Sequence, residues 1–102
     1  MAIVAVSIAP VGEGASVAAF VAEAIRVLRE QDAVRWELGP MFTTIQGELE
    51  DCLDVIRKMH ESLFTAGALR VSTSIKIDDR RDKAGDMRAK VKSVEDKLAS
   101  PE

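Results

Sequence analysis

A chain of 102 residues with 47% hydrophobic content fits one domain with a modest core. Its formal net charge of −3 gives no attractive field for nucleic acid or an anionic membrane, so neither is expected as a partner. The single cysteine, Cys52, excludes an internal disulfide and any CxxC metal or redox pair, as suits an intracellular, cytoplasmic protein.

The first stretch, MAIVAVSIAP, is apolar but too short to cross a bilayer and lacks the basic leader of a signal peptide. Within it, Ile3 to Ala9 is β-branched and almost continuously apolar, and PVGEG stops it, which predicts a central strand covered on at least one face. Ser16 suits an N-cap. After it, Val17, Phe20, Val21, Ala24, Ile25 and Leu28 fall at helical spacing and predict a first helix ending near Gln31-Asp32. VRWEL and MFTTIQ read as two strands joined by Gly39-Pro40, glycine supplying φ tolerance and proline a fixed φ. Leu49, Cys52, Leu53, Ile56, Met59, His60 and Leu63 mark a second amphipathic helix. Glu48, Glu50 and Asp51 lie at its positive end, and Gly67 is its expected stop. ALRVSTSIKI alternates apolar and polar, as a strand with one wetter face should. A charged link over 78–84 and a last helix over 85–99 follow. In that helix Met87, Val91, Val94 and Leu98 form a narrow stripe suited to docking along one groove, in the same subunit or a neighbour's.

Strand, helix, strand, strand, helix, strand is the split βαβ, or ferredoxin-like, α+β pattern, here a single domain over 1–102 with an added C-terminal helix. Right-handed crossovers put both main helices on one face of a four-stranded antiparallel sheet and leave the other face uncovered. Alternation sends Val4, Val6, Ile8, Val34, Trp36, Leu38, Leu69, Val71, Thr73, Ile75 and Ile77 toward the helices. Ala5, Ser7, Ala9, Arg35, Glu37, Arg70, Ser72, Ser74 and Lys76 then face outward. The third strand is ambiguous, because Thr43/Ile45 and Phe42/Thr44/Gln46 are both mixed sets. Glu37 is the one acid assigned to the open face of a strand. Sheet stacking there would favour a raised pKa or a hydrogen-bonding ligand, with Arg35 as the simpler partner.

Several activities known on this fold need residues the chain lacks. An acylphosphatase-like enzyme needs an arginine in the first strand-to-helix loop and an asparagine; APVGEGAS has no arginine, and the chain has no asparagine. An RNA-recognition domain needs exposed aromatics on its central strands, and the first strand has none. A heavy-metal carrier needs paired thiols. His60 has no histidine or serine partner in view and reads as a satisfied core or boundary residue, and Cys52 as a small core hydrophobe. GEG at Gly12 to Gly14 has the wrong spacing for a phosphate loop. Asp78, Asp79 and Asp82 are interleaved with Arg80, Arg81 and Lys83, which favours salt links or an oligomer contact over a metal.

LGPMFTTIQGEL, VIRKMHE and RVSTSIKIDDRRDK together resemble the small thiamine-binding protein family of ferredoxin-like fold, long described as uncharacterised. The resemblance runs from the first strand through Lys83. It implies non-catalytic binding of thiamine or its pyrimidine part, with no cofactor or metal, in homo-oligomers, usually tetramers, built by pairing and stacking sheets. The family's ligand region falls on Met41, Phe42, Thr43 and Thr44, beside Ser7 and Glu37. Phe42 departs from the family's usual glycine, and its ring either stacks on a pyrimidine or fills the pocket. An aminopyrimidine is flat and offers a donor beside a ring nitrogen; a carboxylate such as Glu37 can pair with it while Ser7, Thr43 or Thr44 orients the other edge. The alternative is a structural or regulatory oligomer without a small-molecule ligand. A small enzyme of the dimeric ferredoxin-like barrel type ranks third, because no general base pairs with a nucleophile or cofactor motif.

Overall fold

Val4, Val6 and Ile8 are buried along the first strand while Ile3, Ala5, Ser7 and Ala9 between them are only half-buried, so one face of the sheet carries the core. The computed structural model describes residues 1–12, 17–83 and 85–100. Its elements are β1 (Ala2–Pro10), α1 (Ala18–Arg29), β2 (Arg35–Glu37), β3 (Thr43–Gly47), α2 (Leu49–Thr65), β4 (Val71–Asp79) and α3 (Met87–Ala99). The strands lie in the order β2-β3-β1-β4 and pair antiparallel throughout. This is the expected βαββαβ arrangement.

Ala24 and Leu28 of α1 and Cys52, Val55, Ile56, Met59 and Leu63 of α2 close over Val4, Val6, Ile8 and Ile45. Cys52 is a core residue, and burial pushes its thiol pKa up, with Asp51 and Glu48 adding to the effect. His60 is half-buried with Nδ1 2.7 Å from Thr73 Oγ1, so its polar edge is satisfied by β4. Gly67 ends α2 at φ 109°, where only glycine is comfortable, and the Ala68 N–H donates to the Leu63 carbonyl at 3.0 Å to complete a Schellman cap. No helix among the described residues is long and apolar enough to cross a membrane.

Several boundaries and faces depart from the sequence expectation. The expected cap Ser16 lies outside the described residues, and α1 begins after Val17 without a side-chain cap. It ends at Arg29, before Gln31, whose amide instead ties Leu28 and Val34 together. β4 starts at Val71, leaving Leu69 91% exposed in the connection, and runs to Asp79, taking Asp78 and Asp79 out of the expected link. Leu38 lies beyond β2 and is 63% exposed. Ile75 and Ile77 share the helix side with their partners Val6 and Val4 but stay 43% and 44% exposed. They sit on the sheet's outermost strand, so only one side of them has a strand neighbour.

Candidate functional site

The register fixes which candidate residues can meet. Glu37 pairs with Thr44, Thr44 with Ala5, and Thr43 with Val6. Successive side chains leave a strand on opposite sides. Thr43 therefore joins Ile45 on the helix side, where it is 7% exposed, while Thr44 joins Ala5 and Glu37 on the open face. The threonine pair serves two surfaces, and the ambiguity of the third strand is resolved.

On the helix side, a cavity of about 240 Å³ lies between the end of β1, α1 and the β2–β3 turn. Met41 and Thr43 line it together with Leu38, Pro40 and Val21; Ser7 borders it along β1, but its side chain leaves the strand on the open face, the side of Ala5. Its size falls below the roughly 300–1,000 Å³ of drug-sized sites, so it suits one small ring or one end of a longer ligand. Phe42 is not in its lining and is 40% exposed at the entry to β3. Gly39 has no positive φ; its backbone passes so close to the Phe42 carbonyl that a Cβ would collide with that oxygen. Close approach, rather than the φ tolerance expected from sequence, requires glycine in this turn.

The open face is less open than expected, because the start of α3 lies on it. Asp86 caps α3 by accepting the Arg88 backbone N–H at 2.9 Å, and its Oδ2 lies 3.0 Å from Arg35 Nη1. Those two partners, the Arg88 N–H first, hold the Asp86 carboxyl below the usual aspartate range. The Met87 N–H donates to Gln46 Oε1 at 2.8 Å, Gln46 Nε2 donates to the Gly85 carbonyl at 3.4 Å, and the Met87 side chain is buried. Arg88 forms an ion pair with Glu37, and Lys90 one with Asp78. Glu37 thus has a partner, and it is Arg88 rather than Arg35, which is engaged by Asp86. The sequence signal for this was Asp86 ahead of the Met87 stripe; what it could not supply was the sheet residue each α3 charge would meet.

Asp79 pairs with Arg81 at 2.8 Å and Asp82 with Arg80 at 2.6 Å, the salt links expected for this run. With Ile3, Asp78 and Ala89 they border a cleft of about 640 Å³ between the end of β4 and α3, which sequence reasoning did not locate. Of the six candidate residues, then, Met41 and Thr43 meet at the helix-side cavity, Glu37 and Thr44 meet on the open face, and Ser7 lies on that same face along β1. Phe42 precedes β3 between the two groups.

A four-stranded antiparallel sheet with paired helices on one face and a polar row on the other defines a small ferredoxin-like α+β protein. A model of the family described as thiamine-binding protein matches residues 4–95, and the chain belongs to that family. A UPF0045 protein of Staphylococcus xylosus is 46% identical over 99 residues, covering 93% of this chain and 92% of the relative. The UPF0045 protein YqgV of Bacillus subtilis is 45% identical over 98 residues, covering 92% and 94%. The crystal structure of a hypothetical protein from Methanocaldococcus jannaschii superposes with a TM-score of 0.84 at 34% identity, covering 92% of this chain and 95% of that one. A Thermotoga maritima structure, described as a candidate thiamine biosynthesis or salvage protein, shares the fold at a TM-score of 0.77 and 22% identity, covering 91% and 97%.

Proposed function

We propose that this protein binds thiamine or its aminopyrimidine part without bond chemistry, as a cytoplasmic homo-oligomer, most simply a tetramer. Family membership supports the ligand class. The observation that carries the site is the cross-strand pair of Glu37 and Thr44 beside small Ala5, a carboxylate and a hydroxyl on a flat surface one residue from the helix-side cavity. A carboxylate accepts from the amine of an aminopyrimidine, and from its adjacent ring nitrogen when that nitrogen is protonated, and the hydroxyl fixes its orientation. Ser7 lies on the same face and joins the proposed site, with Met41 and Phe42 at the entry to β3, while Thr43 is buried on the opposite side and bounds the cavity. The test is calorimetric titration of wild type and Glu37→Gln with thiamine and with its aminopyrimidine fragment, alongside melting curves. On the order of 1.5–3 kcal/mol, or about ten- to a hundredfold in affinity, is lost in the variant. Equal affinities for the two folded proteins remove Glu37 from the site.

A structural or regulatory oligomer without a ligand is the second reading, favoured by the exposed Ile75 and Ile77 on the edge strand and the exposed Val91, Val94 and Leu98 on α3. Absence of thiamine binding by the wild type, with an intact oligomer, would select it.

A further inference from the structure

The side chain that touches Glu37 is itself a planar nitrogen cation. Arg88 reaches it from the first turn of α3, while two residues earlier on each segment Arg35 meets Asp86, so sheet and helix exchange two opposite charge pairs. A guanidinium edge presents neighbouring N–H donors in one plane, the pattern that fits a carboxylate. An aminopyrimidine protonated at the adjacent ring nitrogen presents the same N–C–N donor edge. We infer that Arg88 occupies the Glu37 carboxylate as an internal stand-in for the ligand, that the ligand class is a planar amidine-type cation, and that binding requires Arg88 to leave. The inference rests on the Glu37 half of the proposed site.

The hold on Arg88 is slight. Gly85 to Arg88 supply the contacts of α3 to β2 and β3 described above, and every residue from Arg88 to Ser100 is exposed. Arg88 itself is 71% exposed, and solvent-exposed ion pairs are weak. Segments so sparsely packed open locally at low cost. Asp86 and Gln46 keep the helix start in place when Arg88 swings away, since neither of their contacts passes through the guanidinium. Displacement therefore needs a side-chain rotation and no refolding.

The experiment is a double-mutant cycle by calorimetry on the full chain: wild type, Arg88→Gln, Glu37→Gln and the double variant, each titrated with thiamine, its aminopyrimidine fragment and benzamidine. Benzamidine carries the planar amidinium without the pyrimidine ring. Arg88→Gln tightens binding by about two- to fivefold when Glu37 is present and has no effect when it is not, because the competitor is worth no more than an exposed ion pair. Equal tightening in both backgrounds means that α3 merely obstructs the face, and overturns the inference. Thiamine binding that is indifferent to Arg88 overturns it too, while leaving the thiamine proposal standing. Benzamidine binding with the Arg88 and Glu37 dependence, and no thiamine binding, upholds the inference and removes the thiamine proposal. Binding of none of the three removes both.

Discussion

Single residues in this molecule are explained by what approaches them across the chain, and Gln46 is the clearest case. It lies on the nominally open face yet is buried, because its amide accepts the Met87 N–H and donates to the Gly85 carbonyl, 41 and 39 residues away. Gln46→Ala leaves the Met87 N–H without its partner, and about 1–3 kcal/mol of stability is expected to go with it, read as a lower midpoint in urea with the same slope. A midpoint equal to wild type means that water replaces the amide in full. Gly39 makes the same point about backbone. Its Gly-Pro signature was legible as a turn, but the reason for glycine was not, since the collision of a Cβ with the Phe42 carbonyl exists only once the turn is closed. Gly39→Ala is expected to shift the turn, with loss of stability and of any ligand held by Met41 to Thr44. An unchanged melting curve together with unchanged titration would show that the turn absorbs the methyl group.

At the scale of elements, legibility followed burial. β1 and α2 were readable because each packs one full face into the core, and that imprints a period of two or of a helical turn on the sequence. β4 carries the same alternation, but Ile75 and Ile77 lie at the sheet margin, where exposure is set by neighbours that the strand's own sequence does not mention. The stripe of α3 was legible; the surface under its first turn was not. The docking of that turn has a defined acid dependence. The Asp86 carboxyl titrates below the usual 3.8 because it accepts the Arg88 N–H and pairs with Arg35. A carboxyl whose folded pKa is depressed adds stability above its unfolded value and gives it up as pH falls through the lower folded one. Hydrogen exchange at the start of α3 is thus expected to show constant protection from pH 7 to about 4, after correction for intrinsic rates, and loss below that. Loss of protection already near pH 6 would require a different group to hold the helix.

For the whole molecule, the proposed oligomer would cover apolar surface that one subunit leaves exposed. Val91, Val94 and Leu98 are 58%, 59% and 80% exposed on a 13-residue helix, a length at which an isolated helix is marginal in water. Val91→Asp should lower the oligomeric mass or the melting temperature, and neither will change if the stripe is undocked. For the proposed oligomer, β4 offers the more specific contact. Its outer edge presents nine residues of unpaired strand with no proline, which is a template for another strand. If two copies pair antiparallel about Ile75, Ser74 falls opposite Lys76, Ser72 opposite Asp78, and Thr73 opposite Ile77. No like charges meet, and the half-exposed isoleucines of both copies are brought together on the helix side. Wild type should therefore run in light scattering at a multiple of 11.1 kDa at micromolar concentration. Ile75→Lys should reduce that mass while leaving the subunit folded, because the side chain is already 43% exposed within one chain and its charge meets its own copy only across the two-fold axis. A monomeric wild type would end the oligomer proposal, and an Ile75→Lys protein of wild-type mass would move the contact away from β4.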